Sequence, residues 1–305
     1  MSGNISRYIF SILKSNQKKS SYTLLIVHAH PDDECSSTGG LIIKSIKDGH
    51  EVILVTCTNG EMGEIKDKNL EKDIKSASSP QQRLGEIRIS ELKKATKILG
   101  VQKLYTLGYK DSGMDGWDSN ENSEAFMNAD LSVVSKKIAF LIRKHRPHVV
   151  ITYNERGGYG HPDHIMTHKV TSEAMRLSED SSIVIEELNL WKVKKIYYTA
   201  WARSKMIKTW KWMKFFGVKT PLDDPDFRED KYGVPDHEIT TYIDIRSFLR
   251  KKWKALVQHK SQITGNFFWW FVRLTGRWLY GEETFVCVKS KTPLKDKETS
   301  IFEGL

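Results

Sequence analysis

Two short runs concentrate side chains that can bind a cation and move protons. The first is His28-Ala29-His30-Pro31-Asp32-Asp33-Glu34, and the second is Tyr159-Gly160-His161-Pro162-Asp163-His164. Each sets imidazoles and carboxylates around a proline, whose fixed φ stiffens the loop. A catalytic metal needs few protein ligands and one open position for water, and two histidines with one aspartate meet that need. An adjacent second carboxylate could take a proton from that water, whose pKa falls to about 7 on zinc. A remaining histidine could donate to a developing oxyanion. By ligand type zinc is the first choice, and the same donors suit Fe(II). One His-Pro-Asp alone is usually a loop with local hydrogen bonds. Two such clusters, each placed after an expected strand, point to a metal site.

The elements that must position these runs follow from hydrophobic pattern. Residues 23–28 (TLLIVH) and 51–57 (EVILVTC) read as buried strands, with a helix over about 37–48 between them, ended by Gly49. Residues 59–79 read as a long polar loop. Pro80 opens a helix, with Ser79 and Gln82 spaced as a capping box and Gly100 at its far end. Its apolar face is expected to carry Leu84, Ile87, Leu92, Ala95, Ile98 and Leu99. A third strand spans 103–107, and residues 108–129 form a second long loop. Asp130 caps a helix that Pro147 ends, 148–153 is a fourth strand, a helix begins near His164, and 195–199 is a fifth strand. Alternating strands and helices predict an α/β, Rossmann-like three-layer fold with a mostly parallel sheet. Ligands bind beyond the carboxyl ends of such strands, where both runs fall. After about residue 203 tryptophan, lysine and proline become common. Residues 240–245 and 284–288 read as strands, and a helix between them carries 251–262. The expected organisation is a flexible arm at 1–21, a core at 22–202 and a C-terminal elaboration of the same domain at 203–305.

Composition narrows the function. The chain has 305 residues, 39% hydrophobic and 28% charged, which excludes wholesale disorder. No run reaches the roughly 20 apolar residues of a membrane span; the longest candidate, 267–279, is broken by Arg273, Gly276 and Arg277. Three cysteines without a Cys-x-x-Cys exclude a disulfide-stapled domain and a thiolate zinc ribbon. No secretory leader is evident, so the expectation is cytoplasmic. The net charge of +10 is spread as lysine along helices, which favours solubility over nucleic-acid binding. Residues 203–219 are the exception, mixing Lys205, Lys208, Lys211 and Lys214 with Trp210, Trp212, Phe215 and Phe216. Peripheral membrane contact is the less favoured reading of such features.

The two runs resemble the motifs of the LmbE-like, or PIG-L-type, N-acetylglucosaminyl deacetylase family. The likeness extends to Thr58-Asn59-Gly60-Glu61, to Arg83-Leu84-Gly85-Glu86-Ile87-Arg88 and to Asp111-Ser112-Gly113-Met114. Near the C-terminus Ala255-Leu256, His259 and Ser261-Gln262 resemble a late motif of the mycothiol-type branch, which holds the mycothiol biosynthesis deacetylase and the mycothiol conjugate amidase. The resemblance covers roughly residues 22–290. It implies a zinc-dependent N-deacetylase with His30, Asp33 and His164 as metal ligands and Asp32 as general base. It implies that His161 stabilises the oxyanion, Asp163 orients its ring, and Tyr159 adds a donor. Arg83 and Asp111 would grip the sugar. Outside the resemblance, Arg83 could simply pair with Glu86 or Glu61, Asp111 could form a turn, and Tyr159 could only pack. His28 reads as a buried neighbour of the ligands.

The implied substrate is a small N-acetyl sugar of the N-acetylglucosaminyl-inositol type. The alternatives are a thiol-conjugate amidase and a deacetylase of N-acetylglucosaminyl-phosphatidylinositol. Ser37 stands where the amidase branch tends to carry lysine. A non-haem Fe(II) oxygenase, imitated by His30-x-Asp32 and a distant histidine, is disfavoured because such enzymes are usually β-rich. A basic binding protein is disfavoured by the full set of ligands and base.

Overall fold

The computed structural model describes residues 21–263, 276, 280–290 and 297–305. The expected arm at 1–21 and the apolar run at 267–279 lie almost wholly outside the described residues. The strands are β1 (Thr23–His28), β2 (Glu51–Thr58), β3 (Lys103–Tyr109), β4 (Val149–Thr152), β5 (Lys195–Ala200), β6 (Thr241–Asp244) and β7 (Glu282–Ser290). The helices are α1 (Asp33–Ser37), α2 (Gly39–Lys47), α3 (Lys68–Lys75), α4 (Pro80–Leu99), α5 (Leu131–His145), α6 (Gly157–Gly160), α7 (Pro162–Glu179), α8 (Arg203–Phe215) and α9 (Leu249–Leu256).

One seven-stranded sheet runs in the order β3-β2-β1-β4-β5-β7-β6. Neighbours from β3 to β5 are parallel, and β7 is antiparallel to both β5 and β6. The α/β, mostly parallel architecture is therefore present, and the segment after 203 adds two strands to the same sheet.

Alternation along the central strands makes the layers. Leu24 and Ile26 of β1, with Val52 and Leu54 of β2, pack on one face against residues of α2, α4 and α9. Leu25, Val27, Ile53 and Val55 point the other way, into α5 and α7. Strands buried on both faces need no polar alternation, which is why β1 and β2 read as continuous apolar runs. The strand order reverses direction at β1, between β2 and β4. The loops after β1 and β4 therefore diverge to opposite faces and leave a crevice at their carboxyl ends.

Local chemistry moves several expected boundaries. The helix expected at 37–48 is two pieces broken at Thr38 (φ −135°), and Glu283 of β7 accepts the main-chain N–H groups of Gly40 and Leu41 at 2.8 and 2.7 Å. The polar loop at 59–79 contains α3, capped by Asp67 and burying only Ile74. The capping box at Ser79 is not formed: Ser79 makes no side-chain cap, and Gln82 reaches Glu86 instead. Gly100 does close α4, in the left-handed conformation at φ 95°. The buried stripe of α4 also carries Arg88 and Glu91, while Ile98 packs against the core half-buried and Ile87 is half-buried beside the stripe.

A buried network ties the C-terminus to the sheet. Glu298 accepts from Lys195 Nζ, from Tyr197 Oη at 2.7 Å and from Thr241 Oγ1 at 2.9 Å. Glu298→Gln keeps the shape but leaves the buried Lys195 ammonium without its counter-charge, at a cost of about 3–5 kcal/mol. Urea denaturation should show a lowered midpoint with an unchanged m value.

Candidate active site

Three acceptor atoms from the ends of β1 and β4 converge. His30 Nδ1 lies 3.2 Å from His164 Nε2 and 3.5 Å from Asp33 Oδ2, and His164 Nε2 lies 3.6 Å from that same oxygen. Zinc–ligand distances of about 2.0–2.2 Å put neighbouring donors of a tetrahedral site roughly 3.3–3.6 Å apart. The triangle thus has the dimensions of one face of such a site. His161 joins His30 and His164 in a second grouping of three buried imidazoles.

The opposite nitrogen of each ring is held by an acceptor. His30 Nε2 faces Asp163 Oδ2 at 3.2 Å and Asp111 Oδ1 at 3.5 Å. His164 Nδ1 donates to the carbonyl of Gly157 at 3.1 Å. Gly157 has φ 62°, and a Cβ there would stand 2.8 Å from the Cβ of His164, so the close approach requires glycine. Protons held on these outer nitrogens leave the inner lone pairs for a cation. Asp33 Oδ2 accepts from the His30 N–H at 2.9 Å and from Tyr153 Oη at 2.7 Å. Tyr153 Oη in turn accepts the Ala29 N–H at 2.9 Å and meets His28 Nδ1 at 3.1 Å. The donor set therefore fits a divalent cation.

Electrostatics agree with the geometry. Burial lowers the pKa of His164 to about 4 and that of His161 to about 3, with neighbouring histidines adding to the effect, so both rings are neutral at ordinary pH. Burial opposes a charge on His30, but Asp111, Asp163 and Asp33 outweigh it and raise its pKa well above the ordinary value. Against burial, His164 and His30 hold Asp33 well below the carboxylate range. Without a metal, a second proton on His30 answers the surrounding carboxylates. A cation must displace it, so binding weakens in acid.

Asp32 stands beside the triangle in a strained backbone, at φ 117° and ψ −25°. Its N–H donates to Glu34 Oε2 at 2.9 Å, and its Oδ2 accepts from Arg88 at 3.1 Å. Burial raises its pKa to about 6, against the pull of Arg88. Arg88 also donates to the carbonyls of Pro31 and Gly60. Gly60 has φ 74°, and a Cβ there would meet the guanidinium at 2.5 Å. Glu34 is fully buried, and its Oε1 meets His259 Nε2 at 2.7 Å.

His161 Nδ1 accepts the Asp163 N–H at 3.2 Å, which leaves the ring proton on Nε2. The expected Asp163–His161 link is thus through the backbone. The Asp163 carboxylate instead takes the N–H and hydroxyl of Ser112 and faces His30. Tyr159 is half exposed, its ring edge-on to His164 at 5.1 Å between centroids. Asp111 is buried in the cluster, with Oδ1 on the Gly113 N–H at 2.8 Å and Oδ2 4.0 Å from Arg88. Arg83 is not brought to the cluster; its guanidinium pairs with Asp73 at 3.0 Å and Glu86 at 3.8 Å. Arg88, five residues on, occupies the floor. The sequence signal for it was its place three and four residues before Glu91 and Leu92 on the buried stripe of α4. Ser112 falls within the Asp111–Met114 run, and Tyr153 is the last residue of the expected fourth strand. His28 bridges Tyr153 and Thr38 and is not in the triangle.

The candidate site is thus a crevice at the strand-order reversal of a mostly parallel sheet, floored by histidines and aspartates. Residues 25–175 match the family model described as PIG-L: GlcNAc-PI de-N-acetylase, and the chain belongs to this PIG-L/LmbE family. A 1D-myo-inositol 2-acetamido-2-deoxy-alpha-D-glucopyranoside deacetylase from Thermomonospora curvata is 37% identical over 92% of this chain and 96% of its own length. The protein of the same name from Geodermatophilus obscurus is 36% identical over 92% of this chain and 97% of its own. Among solved structures, N,N'-diacetylchitobiose deacetylase from Pyrococcus horikoshii is similar at a TM-score of 0.60 and 22% identity, covering 92% of this chain and 91% of its own. The 4-carboxy-2-hydroxymuconate hydratase from Pseudomonas putida is also similar, at 0.57 and 17% over 90% of this chain and 99% of its own. The fold alone therefore does not define the chemistry, which resides in the site.

Tyr153→Phe removes the hydroxyl that fixes Asp33 while leaving all three donors in place. The metal affinity, measured by competition with a chelator, should fall about 10–100-fold.

Proposed function

We propose that the protein is a metal-dependent hydrolase that removes acetate from an N-acetylglucosaminyl-inositol-like substrate. The observation that carries this reading is the triangle of His30, Asp33 and His164 donors, with Asp32 and His161 beside it. The names of the relatives supply the substrate class. Zinc, or Fe(II) on the same donors, would supply a Lewis acid and a water of lowered pKa.

The chain's own groups then divide the work. Asp32 takes a proton from the attacking water and returns it to the nitrogen of the departing amine. Amide plus water becomes acetate plus amine, with no other reactant. Arg88 fixes one oxygen of Asp32 and favours its ionised form, which the base step requires. His161 presents Nε2–H to the oxyanion as a neutral donor. Its depressed pKa suits that role and excludes a standing positive charge. Asp163, held by Ser112, keeps the outer proton of His30 in place. Asp111, buried beside Arg88, would take a sugar hydroxyl on Oδ2, and Tyr159 at the rim would add a donor. Arg83 has no contact with this group, and Arg88 takes its place in the proposed site. All three cysteines are buried and unpaired, in keeping with a reducing, cytoplasmic setting.

The test is acetate release from N-acetylglucosaminyl-inositol, with zinc supplied and then removed by a chelator. Release that stops on chelation and resumes on reloading is expected. Release unaffected by chelation would overturn the metal-dependent reading. Asp32→Asn should retain metal while kcat falls by about 10²–10⁴; full activity would remove Asp32 as the base. In the wild type, kcat/KM should fall as pH drops through about 6, where Asp32 gains a proton. Arg88→Gln withdraws the charge that lowers this pKa, so the acid limb should move to higher pH. Arg88→Lys should restore most of the shift.

A further inference from the structure

Helix α8 has two unlike faces. Met206, Thr209, Trp210 and Met213 turn inward, where they line an aromatic cavity with Trp253 and Tyr280. The opposite side projects Lys208, Lys211, Trp212 and Phe215, which share an arc of about 100° at 3.6 residues per turn. Phe216 and Lys219 follow, also exposed. Phe215 is 82% exposed, Trp212 45% and Phe216 44%. The three rings form one patch: Phe215 meets Phe216 edge-on at 5.3 Å between centroids, and Trp212 lies 6.1 Å from Phe216. Adjoining exposed aromatics of this size mark an interaction surface.

Charge selects the partner. Helix α8 holds no acidic residue. Lys205 and Lys214, off the aromatic arc, reach Glu282 at 3.5 Å and Asp223 at 2.7 Å. Lys208 and Lys211 lie on the arc itself. Exposed Trp and Phe suit either a protein or a bilayer, but lysine is depleted from the centre of protein–protein interfaces. The same mixture suits a bilayer surface, where Trp and Phe enter at headgroup depth and lysines meet anionic phosphates. We propose that the outer face of α8 docks the protein on anionic lipid bilayers. The helix begins three residues beyond the end of β5, at the sheet end that carries the histidine–carboxylate cluster.

The experiment is flotation of the full chain with vesicles of phosphatidylcholine, with and without 30% phosphatidylserine, at two salt concentrations. Binding to the anionic vesicles that weakens with salt is expected. Lys208→Gln with Lys211→Gln should lower partitioning about 25-fold, roughly fivefold per lysine. Trp212→Ser with Phe215→Ser should lower it at least tenfold. These side chains are exposed, so the far-ultraviolet circular dichroism and Tm should not change. Three results would overturn the proposal: no flotation with anionic vesicles, equal flotation with neutral ones, or variants that float like the wild type. A wild-type dimer that the aromatic variant dissociates would instead assign this face to a second copy of the chain, and so overturn it too.

Discussion

The site depends on holding three electron-rich atoms together against their mutual repulsion. His30 Nδ1, His164 Nε2 and Asp33 Oδ2 lie within 3.6 Å of one another. In water such a group would separate, or take up protons. Here each is pinned from behind, by Asp163, by the carbonyl of Gly157, and by Tyr153 with the His30 N–H. The pins sit in two segments at the carboxyl end of the sheet, the His30 N–H after β1 and Tyr153, Gly157 and Asp163 after β4. The parallel register of β1, β2 and β4 is what brings those loops to one level. A cation that displaces the second proton of His30 finds its donors already placed, so part of its binding energy is prepared by the fold.

The same organisation explains a strained residue. A non-glycine residue at φ 117° costs of order 1–3 kcal/mol and persists only when its surroundings over-determine it. Asp32 is fixed on three sides: its N–H on Glu34, its carboxylate on Arg88, and the preceding Pro31 carbonyl on Arg88 again. The strain turns consecutive carboxylates to separate tasks. Asp33 points into the donor triangle at a depressed pKa, and Asp32 turns to Arg88 with a raised one. Two aspartates in an unstrained turn would share one environment. Their split titration suits one as ligand and the other as base.

The central strands, the three-layer arrangement and the two His-Pro-Asp runs were legible because each has a local signature: an apolar run, a 3.6-residue period, a dense cluster of donors. What was not legible depends on distant partners. Helix α3 is almost wholly polar and is set by the Asp67 cap, with Ile74 its only buried side chain. Ser79 and Gln82 have the spacing of a capping box, but Gln82 finds Glu86 one turn on. Arg83 and Arg88 lie in the same motif, and only rotation about α4 separates them. Arg88 falls on the stripe with Glu91, Leu92 and Ala95, and Arg83 falls outside it, against Asp73. Charge had hidden that stripe, since a buried arginine reads as a break in an apolar face until its three oxygen partners are known.

The C-terminal elaboration is part of the same machinery. His259, 225 residues from Glu34, meets its Oε1, while Oε2 of that carboxylate accepts the Asp32 N–H. Ser261 gives its N–H and hydroxyl to Glu91, one turn beyond Arg88 on α4. Lys252 bonds the Ser36 carbonyl near the end of α1 and also reaches Glu283, which caps α2. Each contact is buried or half-buried and reaches the elements that carry or flank Asp32. The motif loop is therefore clamped between the sheet and the late segment, and the left-handed turn at Asp32 needs both. That coupling gives a physical reason for the extra strands β6 and β7. They extend the sheet far enough to bring Glu283 and α9 behind the loop that the first strand alone could not hold.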